Sequence, residues 1–277
     1  CRVLNEQTKK DEEGKVTVKK GKEISPSSLQ TPYEPEATYR FKSGEGYIGY
    51  IANIVETVDE DYSFITQYSF DTNLHSDAAY AYETIEKLGK QKELTTIVAD
   101  GAYDNEEAKA LGHINGIDLI TTDFKGRKPN PAYLGIEIDE EKKEVIQLPH
   151  GVKPLRSTYY PKEDKYRVVI DNESYQQCPD NLKKLMKHLK HTKYFIVSPM
   201  RIRRAEEAER MKEKDFSLYA NFRNGIEGVP SVLRRKYNVD CMPFKGLVCK
   251  KHCLGIKLLA INVKKAIKYK QNRERIA

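Results

Sequence analysis

Two stretches of the chain, residues 47–56 (YIGYIANIVE) and 62–70 (YSFITQYSF), carry aromatic and β-branched residues in quick alternation with polar ones. The acidic run Asp59-Glu60-Asp61 separates them, and the pattern predicts an antiparallel hairpin. Ser76 follows as an N-cap for a helix predicted over 77–88, with Gly89 as its stop signal. The apolar run 95–99 (TTIVA) ends at Asp100-Gly101, the pattern of a buried strand with a carboxylate at its carboxyl tip. A helix over about 105–111 and a strand over 117–121 (IDLIT) complete a βαβ unit with parallel strands. Sites in open α/β sheets gather at the carboxyl ends of strands, which makes Asp100 a candidate.

The flanking regions differ in character. Residues 1–32 are polar and read as a linker or a short hairpin arm. From Gly126-Arg127-Lys128-Pro129 to about residue 192 the pattern changes to short strands near Val145 and Val168 and a polar helix around 181–190. That stretch, 126–192, is expected to be a subdomain inserted between a first catalytic part (33–125) and a helical C-terminal part (193–277). In the last part Tyr219, Arg223 and Glu227 recur at helical spacing with Arg234 seven residues on, so all four fall on one side of a helix. Pro230 is expected to kink or interrupt that helix one turn after Glu227.

Charge adds a second asymmetry. The 277 residues carry a net +7, but residues 1–180 hold 23 Lys+Arg against 33 Asp+Glu and the remainder holds 25 against 8. The first part is therefore at −10 and the last 97 residues at +17, a split that suggests a polyanion partner for the C-terminal third. Lysines interleaved with apolar residues, as in residues 257–265 (KLLAINVKK), predict a folded helix with a basic face. Lys250, Lys251, Lys257, Lys264 and Lys265, with Arg223, Arg234 and Arg235, are the candidate contacts to a DNA backbone. No run approaches the roughly 18–20 apolar residues of a membrane helix, and Cys1-Arg2-Val3 leads into polar sequence rather than a signal peptide. Five cysteines in a chain this long do not make a disulfide framework, so a reducing cytoplasm is expected. The opening on Cys1 suggests the C-terminal part of a longer reading frame. Cys249-x3-Cys253 with His252 lacks a second pair at zinc spacing, His75 reads as a loop residue, and Gly44-Glu45-Gly46 is a turn with no nucleotide-binding pattern.

Carboxylates on separate elements that converge can hold two divalent cations about 3.5–4 Å apart, the arrangement used for phosphodiester chemistry. Mg²⁺ takes oxygen ligands and keeps several waters, so few protein ligands suffice. Asp100 and Glu227 are two candidates, and the early third is Glu36, in Glu34-Pro35-Glu36-Ala37 just upstream of the hairpin.

Four linked stretches resemble the DDE transposases of bacterial insertion sequences: residues 34–40 (EPEATYR) with 49–56 (GYIANIVE); 98–103 (VADGAY); 116–122 (GIDLITT) running into 126–129 (GRKP); and 223–227 (RNGIE) with 230–235 (PSVLRR). They span about residues 30–265 in the family's order. The resemblance implies an α/β fold of the ribonuclease H-like class: a mixed five-stranded sheet flanked by helices, with an insertion before the last catalytic helix. It also implies a catalytic and metal-holding trio, Glu36, Asp100 and Glu227, with two Mg²⁺ or Mn²⁺ ions. Arg223-x3-Glu227-x6-Arg234 is similar to the family's Tyr–Arg–Glu–Lys signature with Arg for Lys; Tyr219, displaced by one residue, would help orient the helix. The first position departs, since relatives carry Asp-Pro-Asp-Ala where this chain has Glu34-Pro-Glu-Ala.

The resemblance implies a transposase that cleaves DNA and transfers strands without a covalent enzyme intermediate. Its partners would be the double-stranded element ends and target, bound by a homodimer, with no membrane and no nucleotide cofactor. Such a protein would be cytoplasmic, and nucleoid-associated when on DNA. The Glu-for-Asp change leaves a second function open, a decayed transposase that binds DNA without cutting it.

Overall fold

The computed structural model describes residues 1–42, 44–59, 62–89, 96–124, 126 and 128–276. The chain divides into two units, Cys1–Thr121 with Asn221–Ala277, and Thr122–Ala220. The fold is α/β, with several small sheets.

The first unit opens with helix α1 (Arg2–Gln7) and a hairpin, β1 (Thr8–Lys10) and β2 (Val16–Val18), as expected for a short arm. Strands β3 (Thr38–Lys42), β4 (Glu45–Val58) and β5 (Ser63–Thr72) form an antiparallel sheet in which β4 pairs first with β3 and then with β5. The predicted hairpin is thus present, though Glu60 and Asp61 of its acidic turn lie outside the described residues. Helix α2 (Asp77–Leu88) starts where Ser76 Oγ accepts from the Ala79 N–H, and Tyr80, Ala81, Thr84, Ile85 and Leu88 form its buried face. Strand β6 (Thr96–Ala99), helix α3 (Glu106–Ile114) and strand β7 (Asp118–Thr121) make the βαβ unit, with β6 and β7 parallel. Thr95, the expected first residue of that strand, lies outside the described set.

The C-terminal helices return to this unit. Helix α7 (Phe216–Ile226) runs across the division at residue 220, α8 (Gly228–Tyr237) follows it, and α9 (Leu247–Ile276) closes the chain. Leu254, Leu258 and Ile261 of α9 are buried with Ile65 and Phe70 of β5 and Val229 and Leu233 of α8. Each such side chain removed from water is worth about 1.5–3 kcal/mol. The Asn262 amide donates to the Ile65 carbonyl at 2.7 Å and accepts the Ile65 N–H at 2.9 Å, so α9 also covers the backbone of the edge strand β5.

The second unit has one continuous core. Strands β8 (Glu137–Asp139) and β9 (Glu144–Gln147) form a hairpin; β10 (Arg156–Tyr160), β11 (Lys165–Ile170), β12 (Lys187–His188) and β13 (Lys193–Val197) form a sheet of order β10-β11-β13-β12. Period-two alternation puts Tyr166, Val168 and Ile170 of β11 into the core, against Phe195 and Val197 of β13. Helices α4 (Asn172–Gln177), α5 (Asp180–Lys183) and α6 (Pro199–Arg210) pack on it through Leu182, Ile202 and Ala205.

The described residues depart from the expected layout in four places. Among the described residues there is no single five-stranded sheet: β6 and β7 form no ladder with β3–β5. Asn53 of β4 instead donates to Thr84 Oγ1 of α2 and accepts from the hydroxyl of Tyr103, in the turn that follows β6. The inserted unit runs to residue 220 rather than 192, because β13 pairs along β11 and α6 shares the same core. The polar helix around 181–190 is only the one-turn α5 followed by β12: Leu182, Leu185 and Met186 keep helical spacing and reach the core, but the chain turns out of the helix to pair Lys187 and His188 with β13. Finally, the expected interruption of the helix near Pro230 is present but falls at Glu227 itself, so residues 219–234 lie on two helices with Pro230 in the first turn of α8, where its missing N–H costs little.

Candidate active site

Glu36 sits in a turn before β3 and is exposed. Its Oε2 accepts the Leu247 N–H at 2.8 Å, and Glu34 Oε2 accepts the Gly246 N–H at 3.0 Å and the Tyr50 hydroxyl at 2.9 Å. Glu34 Oε1 adds an ion pair with Lys250 Nζ at 2.8 Å. Two carboxylates therefore cap the amino end of α9, where unpaired N–H groups and the helix dipole favour negative charge. Burial works to raise the Glu34 pKa, but Lys250, Gly246 N–H and the Tyr50 hydroxyl together hold it below the usual value. Burial, and then Glu34, push the Tyr50 phenol up. Gly246 is required at this joint: its φ of +82° is left-handed, and a Cβ there would sit 3.1 Å from Glu36 Oε2.

Asp100 stands at the carboxyl end of β6, as the sequence predicts, partly buried, and its Oδ1 accepts the Ala102 N–H at 2.8 Å to start a 3-10 turn (Gly101–Tyr103). That turn delivers Tyr103 into a polar cluster. Its hydroxyl donates to Asn53 Oδ1 at 2.9 Å; burial first, then the charges of Asp77 and Asp100, push its pKa up to about 12, with Arg40 opposing them. Arg40 pairs with Asp77 at 3.2 Å. Nearby, the Tyr80 hydroxyl donates to Asp71 Oδ2 at 3.0 Å, and burial followed by the Asp71 charge raises that phenol as well. His75, expected in a loop, pairs with Glu83 at 3.0 Å and lies 4.2 Å from the Tyr80 ring. The cluster that Arg40, Asn53, Asp71, Asp77, Tyr80 and Tyr103 form at the turn after Asp100 was not foreseen. Its members come from five elements, β3, β4, β5, α2 and the 3-10 turn, and only Asp71, an acid near the end of a strand, carried a local signal.

Glu227 lies at the junction of α7 and α8, with 59% of its side chain exposed, and pairs with Arg223 at 2.8 Å. Tyr219 is half-buried and rests edge-on against Phe216 at 5.8 Å. The candidate phosphate contacts divide into two sets. Lys250 is bound to Glu34, Lys265 to Glu56 and Ser63, Lys257 to the Tyr237 carbonyl, and Lys264 lies over the Tyr237 ring. Arg234 reaches Asp240 at 3.6 Å, while Lys251 and Arg235 are exposed and form no ion pair among the described residues.

The expected trio is therefore engaged locally: Glu36 at the start of α9, Asp100 at its own turn, Glu227 with Arg223. Among the described residues no group of three or more His, Cys, Asp or Glu side chains could hold a metal ion. So arranged, the three carboxylates do not form a cradle for two divalent cations. Cys178 is buried in the second unit, where burial raises its pKa, and Cys241, Cys249 and Cys253 are free thiols. Among the described residues no helix is long and apolar enough to cross a membrane. Comparison of the chain with protein-family models, curated proteins and solved structures returns no match.

Proposed function

We propose that this chain is a DNA-transposition protein of the DDE type, acting on double-stranded DNA as a homodimer and cleaving phosphodiesters. The observation that carries the proposal is Asp100. It stands at the carboxyl end of the first strand of a parallel βαβ unit, partly buried and with its charge acting on Tyr103, within the VADGAY stretch that resembles the family's second catalytic position. The linked motifs and the +17 charge of the last 97 residues support the same class of substrate. A ribonuclease H-like arrangement of the first unit belongs to this proposal. Because Glu36 and Glu227 are held elsewhere, no chemical step is assigned to a metal.

The test is nicking of supercoiled plasmid in Mg²⁺ or Mn²⁺ by the unaltered chain, Asp100→Ala and Glu36→Asp. Nicking that needs the ion and falls at least about 100-fold in Asp100→Ala is expected, the scale of losing one essential catalytic group. Ion-dependent nicking that Asp100→Ala leaves intact would overturn it. A second function, DNA binding without cleavage, is favoured by one observation, the use of Glu36 as an anchor for α9. It predicts salt-sensitive DNA binding, no nicking by any version, and no rescue by Glu36→Asp.

A further inference from the structure

One face of α9 is buried against β5 and α8; the opposite face is apolar and bare. Val248 is 63% exposed, Ile256 69%, Leu259 61%, Val263 50% and Ile267 53%. At 100° per residue these five positions, with His252, fall within about a third of the helix circumference, roughly opposite Leu254, Leu258 and Ile261. None of the lysines of α9 before Lys270 shares that stripe, and Cys249 and Ala266, both exposed, border it.

We infer that this face is a dimer interface, on which a second copy of the chain lays its own α9 antiparallel. The order of the stripe specifies the occupant. Positions 248, 252, 256, 259, 263 and 267 are separated by 4, 4, 3, 4 and 4 residues, a spacing that reads the same in both directions. A two-fold axis between residues 257 and 258 therefore sets Ile256 opposite Leu259, His252 opposite Val263 and Val248 opposite Ile267, with Cys249 opposite Ala266. Isologous interfaces need such self-complementarity. A parallel pairing would instead stack each residue on itself and gain nothing from the symmetry. The stripe is about 28 Å long at 1.5 Å per residue. Half-exposed side chains of this size offer roughly 500 Å² per copy, so the pair reaches the ~1,000 Å² that separates specific interfaces from casual contacts. The lysine-free surface removes the repulsion that two cationic helices would otherwise meet. The inference holds whether or not the chain cuts DNA, so its failure is separable from that of the nicking experiment.

Sedimentation equilibrium of the full chain at micromolar concentration is expected to show a dimer, with Leu259→Glu dissociating it at least about 100-fold more readily, as for the central residue of an interface. Leu259 is exposed in the single chain, so its replacement leaves far-ultraviolet circular dichroism unchanged. Ala266→Cys supplies the register. Oxidation with diamide should link it to Cys249 of the second copy, as identified by peptide mass spectrometry, and Cys249→Ser should abolish the link. A monomer at these concentrations overturns the inference. So does a dimer that Leu259→Glu leaves intact, or a link from residue 266 to itself that survives Cys249→Ser.

Discussion

The two units bury their apolar residues in different ways. The second unit is assembled from 99 consecutive residues around one core, and its cations stand over rings at its surface: Arg167 over Tyr194 at 4.3 Å, Arg204 over Phe124 at 5.2 Å, Arg201 over Tyr133 at 5.7 Å. The first unit has two separate cores, α2–α3–β7 and β5–α8–α9, and joins segments about 200 residues apart. Its cations reach inward to acids of the early chain, Lys250 to Glu34 and Lys265 to Glu56. A charge asymmetry that in sequence points to an outside polyanion is thus partly closed within the molecule. The cations left for the proposed DNA contact are exposed ones such as Lys251 and Arg235.

The largest expected effect lies in the second unit. Phe195→Ala should cost about 3–5 kcal/mol and remove hydrogen-exchange protection from residues 122–220 while β3–β5 keeps its own. Loss of protection throughout the chain would show that the units do not fold separately. Leu258→Ala, 3% exposed in the native chain, should cost about 2–4 kcal/mol and expose α9 and β5 without affecting β11 and β13.

Glu34→Gln should cost about 1–2 kcal/mol by leaving Lys250 without its counter-charge. Because the folded chain holds this carboxyl below 4.5, its contribution is complete above that pH and is lost as pH falls through the lowered folded value. Urea denaturation across pH 3–7 should show that acid-side loss shrinking in the variant; an identical pH dependence would contradict the role given to Glu34. The lysines sharpen the contrast further. Lys251→Ala should lower the salt slope of DNA binding by about 1 and leave stability unchanged. Lys250→Ala should lower stability and leave the slope nearly as it was. The smallest change, about 0.2–0.5 kcal/mol in thermal denaturation, is expected for Arg223→Ala, whose partner Glu227 is mostly exposed.

Local elements were legible because their signals are local. Ser76 and Gly89 bracket α2, alternation marks β4, β5 and β11, and the run ending at Asp100 marks β6. The helix break near Pro230 was legible for the same reason. What the chain does not advertise is pairing between distant segments. Nothing in Glu34-Pro35-Glu36 indicates that both acids accept from the first turn of a helix more than 200 residues later. The same spacing that gives α9 a basic look also gives it two apolar faces, and only the fold reveals that one of them is bare. Asp100 could be placed at a strand tip from sequence, whereas Arg40, Asn53 and Asp77 are brought to Tyr103, in the turn that follows it, by tertiary packing.

The Asn262 clasp on Ile65 has a consequence for how the molecule is made. During synthesis β5 leaves the ribosome almost 200 residues before the amide that covers its edge. At about 5–20 residues per second, that strand waits ten seconds or more with its backbone unprotected. In the interval the whole of residues 122–220 emerges and can complete its core unaided. The nascent chain therefore carries a finished second unit beside an open sheet, and this is the period in which chaperones or a neighbouring chain have access to β5.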